Sequence, residues 1–150
     1  MITPGPLATI ENAHTAKIMT DLLNIDPHSL SGALCLLLAL VIGHTVADFP
    51  LQGVFLSEVK NRHLKKSQPV NTKSPKGLWI QGMSAHSLIH CGTVWLITGS
   101  VLLGLVEFVL HWMIDYSKCE NWIGFNTDQF LHFCCKLAYV ALIYYGVIAI

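Results

Sequence analysis

Charge is what this sequence has least of: 12% of its 150 residues are Asp, Glu, Lys or Arg, against about 25% in an ordinary soluble domain. The nine basic and nine acidic residues cancel, which removes the broad positive field of a nucleic-acid binder. The chain has no G-x-S-x-G, no P-loop and no G-x-G-x-x-G, so nucleophile-elbow and nucleotide-binding readings have no motif to rest on. It also lacks C-x-x-C. Its five cysteines (Cys35, Cys91, Cys119, Cys134, Cys135) are odd in number and lie mostly in apolar runs, so they read as reduced packing residues rather than a disulfide framework.

What the chain does have is apolar surface to bury. Hydrophobic residues make up 53% and the mean hydropathy is +0.53, which excludes disorder and argues against a water-soluble globule. The length allows one domain. Residues 1–28 form a polar tail with Glu11, Asp21 and Asp26 against Lys17. The tail lacks the basic start and small-residue cleavage site of a signal peptide. Residues 29–150 are expected to be a membrane-embedded, metal-binding helical domain carrying a basic loop at 49–82.

The run Ser29 to Asp48 is uncharged until its last residue, and at about 1.5 Å per residue it covers roughly 30 Å, one hydrocarbon thickness. The 49–82 loop holds Lys60, Arg62, Lys65, Lys66, Lys73 and Lys76 against Glu58 alone. Within it, GVFLSEVKNRHL reads as a short helix on the membrane surface and KKSQPVNTKSPKG as a flexible loop. No charged residue lies between Lys76 and Glu107. One straight helix reaching Asp115 would measure about 58 Å, so a fold-back is more economical. Gly99-Ser100 is the expected turn, giving helices near 80–98 and 101–116, then a polar connector over 117–127 and a last helix over 128–150. The fold expected is therefore all-α, a polytopic membrane bundle of about four helices. The positive-inside rule puts the basic loop and the 117–127 connector in the cytoplasm, with Trp79, Trp112 and Trp122 as an aromatic belt at that boundary.

Each expected helix carries one polar pair at i, i+4: His44 with Asp48, His86 with His90, His111 with Asp115, and Asp128 with His132. Residues four apart share a helix face, so each pair can present two ligands to one point. His and Asp occupy 13 of the 150 positions, and chance spacing gives roughly one such pair in a chain of this composition. The pairs fall at the end of helix one, the start of two, the end of three and the start of four. In an up-down-up-down bundle those positions share one depth, the cytoplasmic end. Eight polar groups in an apolar setting need a shared partner, and a divalent cation is the simplest.

Five imidazoles and three carboxylates suit zinc first, with manganese or iron as alternatives, in one or two ions. Residual positive charge would draw an anionic substrate oxygen, and acidified water makes phosphoester hydrolysis the natural chemistry. Asp48, Asp115 and Lys118 are the expected catalytic residues, with Lys118 holding the anion. Glu107, four before His111 on the same face, could be a ligand or a base supporting the ligands, but reads first as a buried, protonated carboxyl; Lys136 reads as a snorkelling lysine, and Gln52 and Gln129 as groups that orient the acidic ligands. His14, His28 and His63 read as surface residues.

The segments HTVADFPLQ (His44 to Gln52), AHSLIH (Ala85 to His90), HWMIDYSK (His111 to Lys118) and DQFLH (Asp128 to His132) resemble a small family of bacterial and phage integral membrane proteins, one of the domains of unknown function. The resemblance covers roughly residues 30 to 145. The N-terminal tail and the 60–78 loop lie outside it. More distantly the chain is similar to bacterial inner-membrane proteins described as metal-dependent hydrolases, and that similarity implies a hydrolase. The function expected is a membrane-embedded metal-dependent hydrolase of the inner membrane. Its site would face the cytoplasm, and its substrate would be an anionic small-molecule, lipid or nucleic-acid phosphate. The alternatives are a di-iron oxidase or hydroxylase and a non-enzymatic metal-stabilised adaptor or transporter. Membrane lipid is an expected partner, and Gly92, Gly99 and Gly104 suit helix packing within or between chains as in a homo-oligomer.

Overall fold

A computed structural model describes residues 26–63 and 75–150. Among these residues the chain is all-α, with five helices and no strand: α1 (Leu30–Asp48), α2 (Gly53–Val59), α3 (Leu78–Thr98), α4 (Val101–Cys119) and α5 (Phe125–Tyr144). The N-terminal tail up to residue 25, including His14, and residues 64–74 of the basic loop lie outside the described residues.

The helix ends follow local chemistry. Ser29 caps α1, its hydroxyl accepting from the Gly32 amide at 3.0 Å, so one of the first-turn donors is satisfied. The turn between α3 and α4 falls at Gly99-Ser100, as the sequence predicts. Gly99 takes φ 69°, a left-handed conformation that only glycine adopts without steric cost, and Ser100 Oγ then accepts from the Leu103 amide at 3.3 Å. The last two helices differ from expectation at three boundaries. Helix α4 continues to Cys119, bringing Lys118 onto its last turn, and α5 starts at Phe125 and stops at Tyr144. Asp128 therefore sits one turn inside α5, where a carboxylate complements the helix dipole.

The four long helices close a ring in which α1 and α4 each pack against both α3 and α5. Inside, the ring has two levels. One is apolar, built on Ala33, Leu40, Val94, Leu103, Tyr139 and Ile143, and the other is polar. The short helix α2 packs on α3. Gly82 permits that approach, because a Cβ there would stand 2.6 Å from Val59 Cγ1 and 3.2 Å from the Lys60 amide nitrogen.

Outward faces are apolar: Leu30, Leu34, Leu38, Ile42 and Val46 form an exposed stripe down α1. Among the described residues α1 is the one helix long and apolar enough to cross a membrane. All five cysteines are unbridged.

Candidate metal centre

All eight residues of the i, i+4 pairs converge at one end of the ring. On α4, Glu107, His111 and Asp115 stand four apart. On α5, Asp128, His132 and Lys136 do the same. The two ladders face each other antiparallel and make three rungs. At the open end Lys118 Nζ joins Asp115 Oδ1 at 3.0 Å to Asp128 Oδ2 at 2.6 Å. In the middle the His111 and His132 rings stack with centroids 4.1 Å apart. At the inner end Lys136 Nζ meets Glu107 Oε1 at 2.5 Å. Helices α1 and α3 close the other side, with the His44 and His90 rings 5.0 Å apart.

The tightest group joins three helices. Asp48 Oδ1 lies 3.2 Å from His86 Nε2 and 3.4 Å from His90 Nε2, and His86 Nε2 lies 3.1 Å from His111 Nε2. Donors about 2.0–2.1 Å from a tetrahedral ion stand roughly 3.3 Å from one another, so these spacings match edges of such a polyhedron. Asp115 Oδ2 is 3.3 Å from His86 Nε2. His132 is more distant, its Nε2 3.6 Å from Asp128 Oδ1 and 3.8 Å from Asp115 Oδ1.

The second sign of a missing partner is the hydrogen-bond inventory. Each of the eight residues has at least one buried nitrogen or oxygen with no hydrogen-bond partner, and among the described residues Ser87 Oγ is the one such atom elsewhere. Asp115 Oδ1 is met by the Lys118 ammonium, but a buried polar atom left unpaired costs roughly 1–3 kcal/mol, so the others together are expensive without a shared ligand. Three sets of buried side chains could hold a metal ion: Asp48 with His86, His90 and His111; His44 with His90, Glu107 and His111; and His111 with Asp115 and His132.

Several polar residues occupy places the sequence did not indicate. Lys60, at the end of α2, is 4% exposed. Its Nζ reaches Asp115 Oδ2 at 2.5 Å and Gln52 Oε1 at 2.8 Å. Gln52, expected to orient an acidic ligand, thus acts on Asp115 only through Lys60. Gln129 does contact the acids, donating to Asp48 Oδ2 at 2.9 Å and Asp128 Oδ2 at 3.1 Å. Lys136 does not snorkel: it is 1% exposed and paired with Glu107. Glu107 is correspondingly an ion-paired carboxylate rather than a neutral acid, and it also accepts from Tyr139 Oη at 2.9 Å. Continuing the i, i+4 step once beyond His132 was the signal that would have found Lys136. No local pattern marks Lys60.

At the rim, Trp79, Trp112, Tyr116 and Trp122 form one aromatic cluster, with Trp79 and Trp112 centroids 6.4 Å apart and Tyr116 5.8 Å from Trp122. Arg62 lies over Trp79 at 5.5 Å and bonds Glu120 Oε2 at 2.7 Å, holding the Glu120 carboxyl below its ordinary pKa. The exposed His63 contacts Glu120 Oε1 at 3.1 Å. His28 is also exposed, as expected, with Nδ1 3.2 Å from the Tyr144 carbonyl oxygen.

The family model described as "Protein of unknown function (DUF3307)" matches residues 36–149. The chain belongs to this family. Neither the curated proteins nor the solved structures gave a match. The DUF3307 match spans all eight clustered residues together with Lys60, Glu107, Lys118 and Lys136.

Proposed function

We propose that this DUF3307 chain is a polytopic membrane protein that holds one divalent metal ion at the cytoplasmic end of its bundle and hydrolyses an anionic phosphoester there. The observation that carries the reading is the 3.1–3.4 Å spacing of the Asp48, His86, His90 and His111 donor atoms, of which Asp48 Oδ1 and His90 Nε2 are buried with no hydrogen-bond partner. The membrane assignment rests on the distribution of side chains: large apolar residues face outward on the long helices while charged groups are buried in the polar level of the interior, the arrangement a hydrocarbon solvent favours. Arg62 lies at the rim of the polar end, and the basic excess of the 49–82 sequence supports a cytoplasmic position for that end by the positive-inside rule.

Charge decides between one ion and two. Asp48, Glu107, Asp115 and Asp128 face Lys60, Lys118 and Lys136, so with neutral imidazoles the cluster carries one net negative charge. A single divalent ion would leave one positive charge, enough to draw an anion. Two would leave three in a low-dielectric interior, where uncompensated charge is costly. The same balance disfavours a di-iron centre. Nitrogen donors in the majority favour zinc, with manganese or iron next.

A bound ion would supply Lewis acidity toward a phosphoryl oxygen and acidify water at the site. The protein's own groups do the rest. Lys118, with 23% of its side chain exposed, is the ammonium that meets an incoming anionic oxygen. Asp115, gripped by Lys60 and Lys118, orients both cations and is too strongly paired to act as a base. His132 Nε2 lacks a hydrogen-bond partner and faces Asp128 Oδ1 at 3.6 Å and Asp115 Oδ1 at 3.8 Å, so it could take a proton from attacking water at Nε2, where those carboxylates would stabilise the imidazolium. Asp48 binds rather than reacts.

The test is hydrolysis by detergent-purified protein of a lipid phosphate in mixed micelles, a nucleotide and a single-stranded oligonucleotide. Turnover on one of them that EDTA abolishes, zinc or manganese restores, and Asp115→Asn loses is the expected result. No turnover on any of the three by metal-loaded protein would reject the hydrolase.

A further inference from the structure

The inner rung of the two ladders lies outside the proposed ligand set, yet it is fully sequestered from solvent. Glu107, Lys136 and Tyr139 are 1%, 1% and 2% exposed. Burying an ammonium and a carboxylate together is costly and is often no more stabilising than packing apolar side chains of the same volume. Stability alone therefore gives this ion pair little reason to sit in the middle of an apolar bundle.

Its geometry supplies one. Glu107 is fixed from two sides by α5, by Lys136 at Oε1 and by Tyr139 at Oε2. The same Oε1 lies 3.3 Å from His111 Nδ1, a contact out of line for a full hydrogen bond but well within electrostatic reach. A carboxylate has no proton to give, so the imidazole nitrogen beside it is stabilised as N–H. With the proton on Nδ1, His111 Nε2 carries the lone pair, and Nε2 is the atom 3.1 Å from His86 Nε2. Carboxylates behind ligating imidazoles act this way in known metal sites, where removing one costs about 10–100-fold in metal affinity.

We propose that Glu107 is a positioning residue: it holds the proton of His111 on Nδ1 and so aims the Nε2 lone pair into the ligand cluster, with Lys136 and Tyr139 anchoring Glu107 for that task. This inference deepens the metal reading above and rests on it for its purpose, but the tautomer it requires exists in the metal-free protein and can be read there. Lys136 has a second consequence, since it cancels the Glu107 charge and leaves Asp48 as the one anionic donor of the tight group.

The experiment is a long-range ¹H–¹⁵N correlation spectrum of the full chain, labelled with ¹⁵N-histidine, in detergent micelles with EDTA, paired with zinc affinity by chelator competition. Wild type is expected to show His111 in the Nδ1–H form. Glu107→Ala is expected to lose that preference and to bind zinc about 10–100-fold more weakly. Because a lone deletion strands Lys136 and can unfold the bundle, Glu107→Leu combined with Lys136→Met replaces the pair by apolar volume. That double variant should keep its thermal unfolding midpoint while losing both the tautomer and the affinity, which a merely structural pair would not do. An Nε2–H form in wild type overturns the proposal, as does an unchanged tautomer in the double variant. If wild type takes up no zinc while the tautomer still follows Glu107, the metal reading fails and the positioning stands.

Discussion

Lys60 Nζ lies 2.5 Å from Asp115 Oδ2, with the two side chains 5% and 0% exposed. This contact ties the short helix α2 to the candidate metal cluster, because a residue from the basic loop supplies the cation that balances a carboxylate of α4. Removing one partner of a buried pair typically costs about 3–5 kcal/mol, and it leaves the cluster one charge more negative. Lys60→Met should therefore lower the stability of the metal-free protein by about 3 kcal/mol while strengthening zinc binding. Thermal unfolding with EDTA and with zinc measures the two effects, which should have opposite signs. If both fall together, Lys60 is not a competing cation.

Gly82 is the hinge of that arrangement. A side chain there would meet Val59 and the Lys60 backbone, and backbone cannot move aside as the tip of a flexible side chain can. Gly82→Val should push α2 from α3, cost about 1–3 kcal/mol, and open the chain to trypsin after Lys60 and Arg62. Limited proteolysis compared with wild type checks this. An unchanged cleavage rate would mean that α2 is held elsewhere.

The rim contact has a defined pH dependence. Arg62 holds the Glu120 carboxyl below its ordinary value, and His63 faces the same carboxyl. A depressed folded-state pKa contributes stability above the unfolded value, about 4.3, and that contribution disappears as pH falls through the lowered folded value. Anchoring of the α2 end to α4 should be intact at neutral pH and lost only in acid below about pH 4. Hydrogen exchange of the 53–63 amides across that range reads it, and Glu120→Gln should remove the dependence.

The membrane reading makes its own prediction. Leu38 lies midway along α1 on the exposed apolar stripe, and a lysine at the centre of a spanning helix costs about 2.5–3.5 kcal/mol in insertion. Leu38→Lys should shift α1 out of the membrane fraction in a translocation reporter assay. Unchanged insertion would leave α1 without a role as a spanning helix.

The eight clustered residues were legible because helical periodicity is local: a four-residue step fixes a shared face before any tertiary structure is known. Their convergence was legible because alternating helix direction puts the end of one helix beside the start of the next. The Gly99-Ser100 turn was legible for the same reason, since glycine and serine each meet a stereochemical demand there. Lys60 was not, because a seven-residue helix in a basic loop reads as surface, and only its packing at Gly82 carries the ammonium inward. Lys136 was misread because an isolated lysine in an apolar run ordinarily reaches for water, whereas here Glu107 lies opposite on a neighbouring helix. The polar residues Asn126 and Thr127 concealed the start of α5.

The most direct test is elemental analysis of protein purified in detergent without added metal, wild type beside His90→Ala and Asp48→Asn. About one divalent ion per chain in wild type, zinc foremost, and less than a tenth of that in either variant is the result expected when His86, His90, His111 and Asp48 converge on one ion. Metal-free wild type that resists loading, or equal metal in the variants, would contradict it.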